Sequence, residues 1–322
     1  MAPATAPTSS RVSVTDLALL VYLGAVWGAA FLFFRVASPE IGPLWTAEIR
    51  VAIAGLVLAV FSGRSALAAF RRQPVAFLVV GATFSAIPFT LLAFATLSLP
   101  ASLASLLMAT TPLFTAIVSA LWLRQRLTRG AVAGLALGFG AVAFLLGGAH
   151  VEITTAALLA VAAGLGAALS YAVAGTFVRR RLGDVAPLDL ATGQLVAAAL
   201  ILLPVSLVSG IPPMPSPAAA ASLVTMGVVS TTIAWPVYFR IASRTSATAA
   251  SSSTFVVPMF GILWGGLVLG EPVGPELLAG FGLVIVSLVL VLRLPVPRPA
   301  ALRPAFGRLV ARSSAAIAAA LG

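Results

Sequence analysis

One cation sits where a cation is costly. Arg50 lies in the apolar run PLWTAEIRVAIAGLVLAV, about two helical turns past Pro43. A charge inside a bilayer must be paired, must snorkel to the headgroups or must serve a function. Facing a central cavity, Arg50 would suit a carboxylate or another anionic group on a small molecule. The structural alternatives are a bond to Glu40, Glu48 or a backbone carbonyl, or reach to the outer headgroups. Glu48 is two residues away and so points elsewhere on a helix. Aromatic residues supply a second element of chemistry. Trp27 and Phe31 share a helical face at i, i+4, and Trp235 and Tyr238 share one at i, i+3. Tyr171 adds a hydroxyl. Aromatic walls with one polar edge suit an amphipathic ligand, and packing bulk is the equal alternative. Trp27 lies too deep for the interfacial aromatic belt, whereas Trp235 can still belong to it.

Prolines mark a third element. Pro112 and Pro258 each remove the backbone donor to the carbonyl four residues earlier, at Met108 and Thr254. Those carbonyls would bind polar groups or let the helix bend during gating; a static kink satisfied by neighbouring hydroxyls is the alternative. Pro88 and Pro236 are expected to add weaker kinks. Arg35 and Glu48 are expected to form a structural ion pair across the first outer loop.

The composition excludes much else. The chain has no Cys, a single His (His150) and eight acidic residues. Catalytic residues, a metal site and a cofactor are therefore not expected, and neither is an enzyme. No GxxxxGK[ST] motif offers a nucleotide site. The net charge of +11 comes from arginines, with no lysine, set between apolar runs. That pattern fits topology and lipid headgroups rather than nucleic acid.

Those residues must be held by membrane helices. Hydrophobic residues make up 61% of the 322 and charged ones 8%, against roughly a quarter in soluble domains. Ten spans are read, at about 16–36, 43–63, 74–97, 101–123, 130–148, 155–178, 187–209, 218–239, 246–269 and 274–293. With the N-terminus inside, 17 of the 19 arginines fall in inside segments, leaving Arg35 and Arg50. This places a multi-pass protein in the inner (plasma) membrane with both termini cytoplasmic. Residues 1–15 form a polar N-terminal segment without a cleaved signal, and 294–322 a basic tail. Gly130, Gly134 and Gly138 form a small-residue stripe, read as packing and secondarily as a homodimer face.

The chain also repeats itself. Residues 99–148 match 245–294, with Pro112 on Pro258, and a second register sets Pro43 on Pro187 and Arg50 on Gln194. Gln194 would face the same cavity near its opposite end. Five helices per half is an odd number, so the second half, 155–293, inserts upside down relative to the first, 16–148. The expected fold is all-α, ten transmembrane helices in two inverted five-helix repeats, an architecture of alternating-access carriers.

The sequence resembles the EamA-like branch of the drug/metabolite transporter superfamily over nearly all of residues 16–293. The resemblance rests on WGAAFLFFRVA (27–37), Pro43 with Arg50, LPASLASLLMATTPLFTAIVSALWL (99–123) and ATAASSSTFVVPMFGILWGGLVLGEPVGPELLAGFGLVIVSLVLV (247–291). Members usually carry Glu after the fourth and the ninth helix. Glu271 is present here, but Gln125 stands at the first position. The resemblance implies transport of small metabolites, often export. The expected activity is secondary transport of a small amphipathic metabolite, amino-acid-like or drug-like. No acidic residue lies at mid-membrane, which favours facilitated movement and leaves proton coupling open. A membrane subunit or a channel is the alternative.

Overall fold

The computed structural model describes residues 14–123, 127–148, 154–244 and 253–292. Among them every regular element is helical. Prolines in the first turn start several helices, where a missing N–H costs nothing. Helix α1 spans Val14–Ile41 and α2 Pro43–Arg72. Only Gly42 separates them, at φ +80°, a conformation other residues rarely adopt. Next come α3 (Pro74–Gly81), a π segment (Ala82–Ala86) and α4 (Ile87–Ser98). Then follow α5 (Ala101–Leu107), a 3-10 turn (Met108–Thr110) and α6 (Thr111–Leu123). Helices α7 (Arg129–Gly148), α8 (Thr155–Arg181) and α9 (Pro187–Val208) are unbroken. The rest is α10 (Pro217–Gly227), a second π segment (Val228–Ile233), α11 (Ala234–Arg244), α12 (Ser253–Leu269) and α13 (Pro275–Leu292).

Seven helical stretches are long and apolar enough to cross a membrane, and three shorter apolar helices lie at Arg129–Leu145, Val256–Leu269 and Pro275–Val291. Large apolar side chains such as Val60, Phe61 and Leu56 point outward, while Thr46, Glu48, Arg50 and Ser62 of the same helix point in. Lipid replaces water as the outer solvent, so the apolar face of α2 needs no protein cover.

The halves pack reciprocally. Helices α2 and α9 run antiparallel, with Ser62 and Thr192 hydroxyls 2.6 Å apart, Ser65 donating to Asp189 at 2.6 Å and Trp45 Nε1 donating to the Gly210 carbonyl at 2.7 Å. Their counterparts at the far end, α7 and α13, pair through Ser287, whose hydroxyl donates to the Gly134 carbonyl at 2.7 Å. A methyl group built on Gly134 would lie 2.7 Å from the Ser287 carbonyl oxygen. The Gly134–Gly138 part of the glycine stripe is thus occupied by packing within the chain. Helix α1 packs on α12 in the same manner, because Gly28 lets the backbone of Gly261 approach.

The prolines shape four spans differently. Pro88 and Pro236 each follow a widened π turn, a deeper departure from α-geometry than the weak kinks expected. Pro112 follows a 3-10 turn in which the Thr111 N–H donates to the Met108 carbonyl. That carbonyl is therefore occupied within the chain, contrary to the reading that Pro112 frees it. Pro258 lies within the continuous helix α12. Thr254 belongs to that helix, but its side chain lies outside the described residues.

Candidate functional site

Both π segments pack against α2. In the second, the hydroxyls of Thr231 and Thr232 donate to carbonyls five residues back, at Met226 (2.7 Å) and Gly227 (2.9 Å). Having given away its proton, the Thr231 oxygen accepts from Arg50 Nε at 2.7 Å. Phe89 lies under the guanidinium, its ring centroid 3.8 Å from Cζ, and Phe34 flanks it at 5.2 Å. Arg50 is 2% exposed. Among the described residues no carboxylate pairs with it. A cation–π contact of about 2 kcal/mol when desolvated offsets only part of the cost of burying a charge. Tyr171 lies within electrostatic reach of the same guanidinium.

Beside the cation is an aromatic cage. Trp27 sits 5.5 Å from both Trp235 and Tyr238, measured between ring centroids. Phe84, from the first π segment, meets Trp235 edge-on at 4.9 Å and Tyr171 at 5.9 Å. Phe239 stacks on Trp235 at 5.3 Å. Trp27 is fixed by its Nε1, which donates to the Ser230 carbonyl at 3.0 Å, while the Ser230 hydroxyl donates to the Val26 carbonyl at 2.9 Å. The widened turn presents this carbonyl to α1. Trp235 is buried rather than interfacial, and its Nε1 has no partner among the described residues.

Gln194 is wholly buried, and neither its Nε2 nor its Oε1 has a partner among the described residues. Its backbone lies against Gly81, immediately before the first π segment. The Ser85 hydroxyl of that segment is also buried and unpartnered. Buried polar atoms are almost always hydrogen-bonded, so these atoms call for solvent, a bound molecule or a rearranged chain.

The structure thus gathers Trp27, Trp235, Tyr238 and Tyr171 into one cage and sets Arg50 at its side. Phe31 is buried in the packed core and makes no ring contact of the cage kind among the described residues. The Arg35–Glu48 ion pair does not form. Arg35 donates instead to the carbonyls of Thr96 (2.8 Å) and Leu97 (3.2 Å), where α4 ends and leaves acceptors free. Glu48 is buried with Oε2 unpartnered. Glu271 accepts from the backbone N–H groups of Ala101 (2.6 Å) and Ser102 (2.9 Å), capping α5 across the two halves. Its equivalent position, Gln125, lies outside the described residues, as does His150.

Sequence reasoning missed Thr231, Phe34, Phe84, Phe89 and Phe239. The signal available was Pro88 and Pro236: both π segments sit just before them, and all of the missed residues except Phe34 lie close to one or the other. No group of three or more metal-binding side chains occurs among the described residues.

Apolar helices packed around a buried cation and an aromatic cage suit a membrane transporter. The chain belongs to the EamA-like transporter family, whose sequence model matches residues 16–147 and again 158–293. It is 28% identical over 278 residues to a probable terminal-alkyne amino-acid exporter of Streptantibioticus cattleyicolor, covering 85% of this chain and 92% of that one. A probable amino-acid metabolite efflux pump of Salmonella typhimurium is 26% identical over 289 residues, covering 84% and 92%. A solved crystal structure superposes with a TM-score of 0.62 at 19% identity, covering 86% of this chain and 96% of that one, and shares its fold. The protein is accordingly a multi-pass inner-membrane transporter whose cargo is a small molecule.

Proposed function

We propose that this chain exports a small amphipathic metabolite with an anionic group, amino-acid-like, by alternating access. Ten spans would form two inverted halves, 16–148 and 155–293, with the arginine-bearing end and both termini cytoplasmic. The single observation that carries the proposal is Arg50: a buried guanidinium bonded to a neutral threonine, with no carboxylate paired to it among the described residues. A carboxylate on the substrate would supply the missing counter-charge with two parallel bonds. The cage of Trp27, Trp235 and Tyr238 would hold the apolar part. Gln194, Ser85 and Trp235 Nε1 would offer hydrogen bonds to the remaining polar groups. The relatives named as amino-acid exporters support this substrate class.

The test is counterflow in proteoliposomes. Vesicles loaded with a mixed metabolite extract are assayed by mass spectrometry for what leaves, with the wild-type chain and with Arg50→Ala. Saturable flux of a zwitterionic or anionic compound, lost in a folded Arg50→Ala protein, supports the proposal. Undiminished flux in that variant sinks the role given to Arg50.

A further inference from the structure

Most of the arginines lie outside the site. Helix α8 ends in Arg179, Arg180 and Arg181. Successive residues on a helix point about 100° apart, so the three do not all face the same way. Arg179 is exposed and lies within electrostatic reach of Tyr238. Arg180 and Arg181 are exposed and, with Trp122 and Phe177, line a half-open groove of about 420 Å³ between the ends of α6 and α8. Among the described residues neither arginine has an ion-pair or hydrogen-bond partner.

We propose that this groove binds the phosphodiester headgroup of an anionic phospholipid. Two guanidinium groups without counter-ions can grip phosphate oxygens in the bidentate manner that suits Arg. Trp122 is 43% exposed, and the neighbouring Leu121 points outward at 74%. The groove therefore opens sideways onto the apolar surface of the helix bundle, where a glycerol backbone and acyl chains would lie. An indole at this depth belongs to the lipid interface. The chain's own tail is a poor occupant: residues 294–322 contain Arg298, Arg303, Arg308 and Arg312 and no acidic residue, so it would be repelled. The inference does not depend on the substrate assigned to the central cage.

Native mass spectrometry of the purified full-length chain, titrated with phosphatidylglycerol, cardiolipin or phosphatidylcholine, tests it. The variants are Arg180→Gln with Arg181→Gln, and, as a control of equal charge, Arg71→Gln with Arg72→Gln at the end of α2. Folding of both is checked by circular dichroism and size exclusion. The expected result is retention of the anionic lipids alone, weakened about tenfold or more in the Arg180/Arg181 pair and unchanged in the Arg71/Arg72 pair. Equal weakening in both pairs would mean diffuse surface charge and would overturn the site. Displacement by millimolar inorganic phosphate at the same groove would mean a free-anion site and would overturn the lipid assignment.

Discussion

Helices α2 and α9 are repeat mates that pack on each other, yet their central residues are served differently. On α2, Arg50 reaches a hydroxyl of the second π segment and two phenylalanine rings. On α9, Gln194 lies beside the first π segment, and both its amide atoms go unpartnered while Ser85 waits with a free hydroxyl. The backbone device is duplicated and the bond is made on one side only. On the alternating-access proposal, two equivalent packings with one engaged are what inverted halves would need to exchange roles. The two prolines matched by the repeat differ in the same sense: Pro112 follows a closed 3-10 turn, whereas Pro258 sits in a continuous helix.

Breaking the occupied side should have the largest effect. Arg50→Ala is expected to abolish flux, and Arg50→Lys to restore only a minor part, because an ammonium lacks the planar fork that stacks on Phe89. Arg50→Leu should leave thermal stability equal or higher, since it removes a buried charge that no carboxylate balances. A large loss of melting temperature in Arg50→Leu would mark the residue as structural.

Thr231→Val comes next. It removes the acceptor for Arg50 and the hydroxyl bond to Met226, and should cost about 1–3 kcal/mol of stability in a denaturation assay. The comparison is Thr83→Val in the first π segment, where the hydroxyl only donates to its own helix at the Val79 carbonyl. Its cost should be clearly smaller. Equal costs would erase the asymmetry between the halves.

Glu271→Ala tests a carboxylate that ties the halves together through two backbone N–H groups. Losing the acceptor for two backbone N–H groups should cost about 1–2 kcal/mol and lower the melting temperature, with substrate affinity retained. A specific loss of transport in a fully stable variant would give Glu271 a mechanistic role instead.

The smallest effect on stability belongs to the unoccupied side. Gln194→Leu breaks no hydrogen bond in this state, so its melting temperature should match or exceed wild type. Transport should nonetheless fall, because the amide would be needed by the substrate or by the exchanged packing. A variant unchanged in both respects would reduce Gln194 to filling space.

What could be read in advance followed from local rules. Lipid forces every backbone group into a helix, so apolar runs mark the elements, and the arginines between them track the two ends of the bundle. Internal repetition and the family resemblance lay in the order of residues, and Trp27, Trp235 and Tyr238 stood out as aromatics at depths or spacings that needed explaining. Partners were another matter. Arg35 and Glu48 are close in sequence and of opposite charge, yet Arg35 turns to the carbonyls where α4 ends. Thr231 is 181 residues from Arg50, and no spacing could join them. The sequence by itself determined the helices, the repeat and which polar residues had to be buried. Only the tertiary structure decided what each buried group touches, because that depends on how neighbouring helices are rotated, and at the π segments one extra residue in the turn resets that rotation.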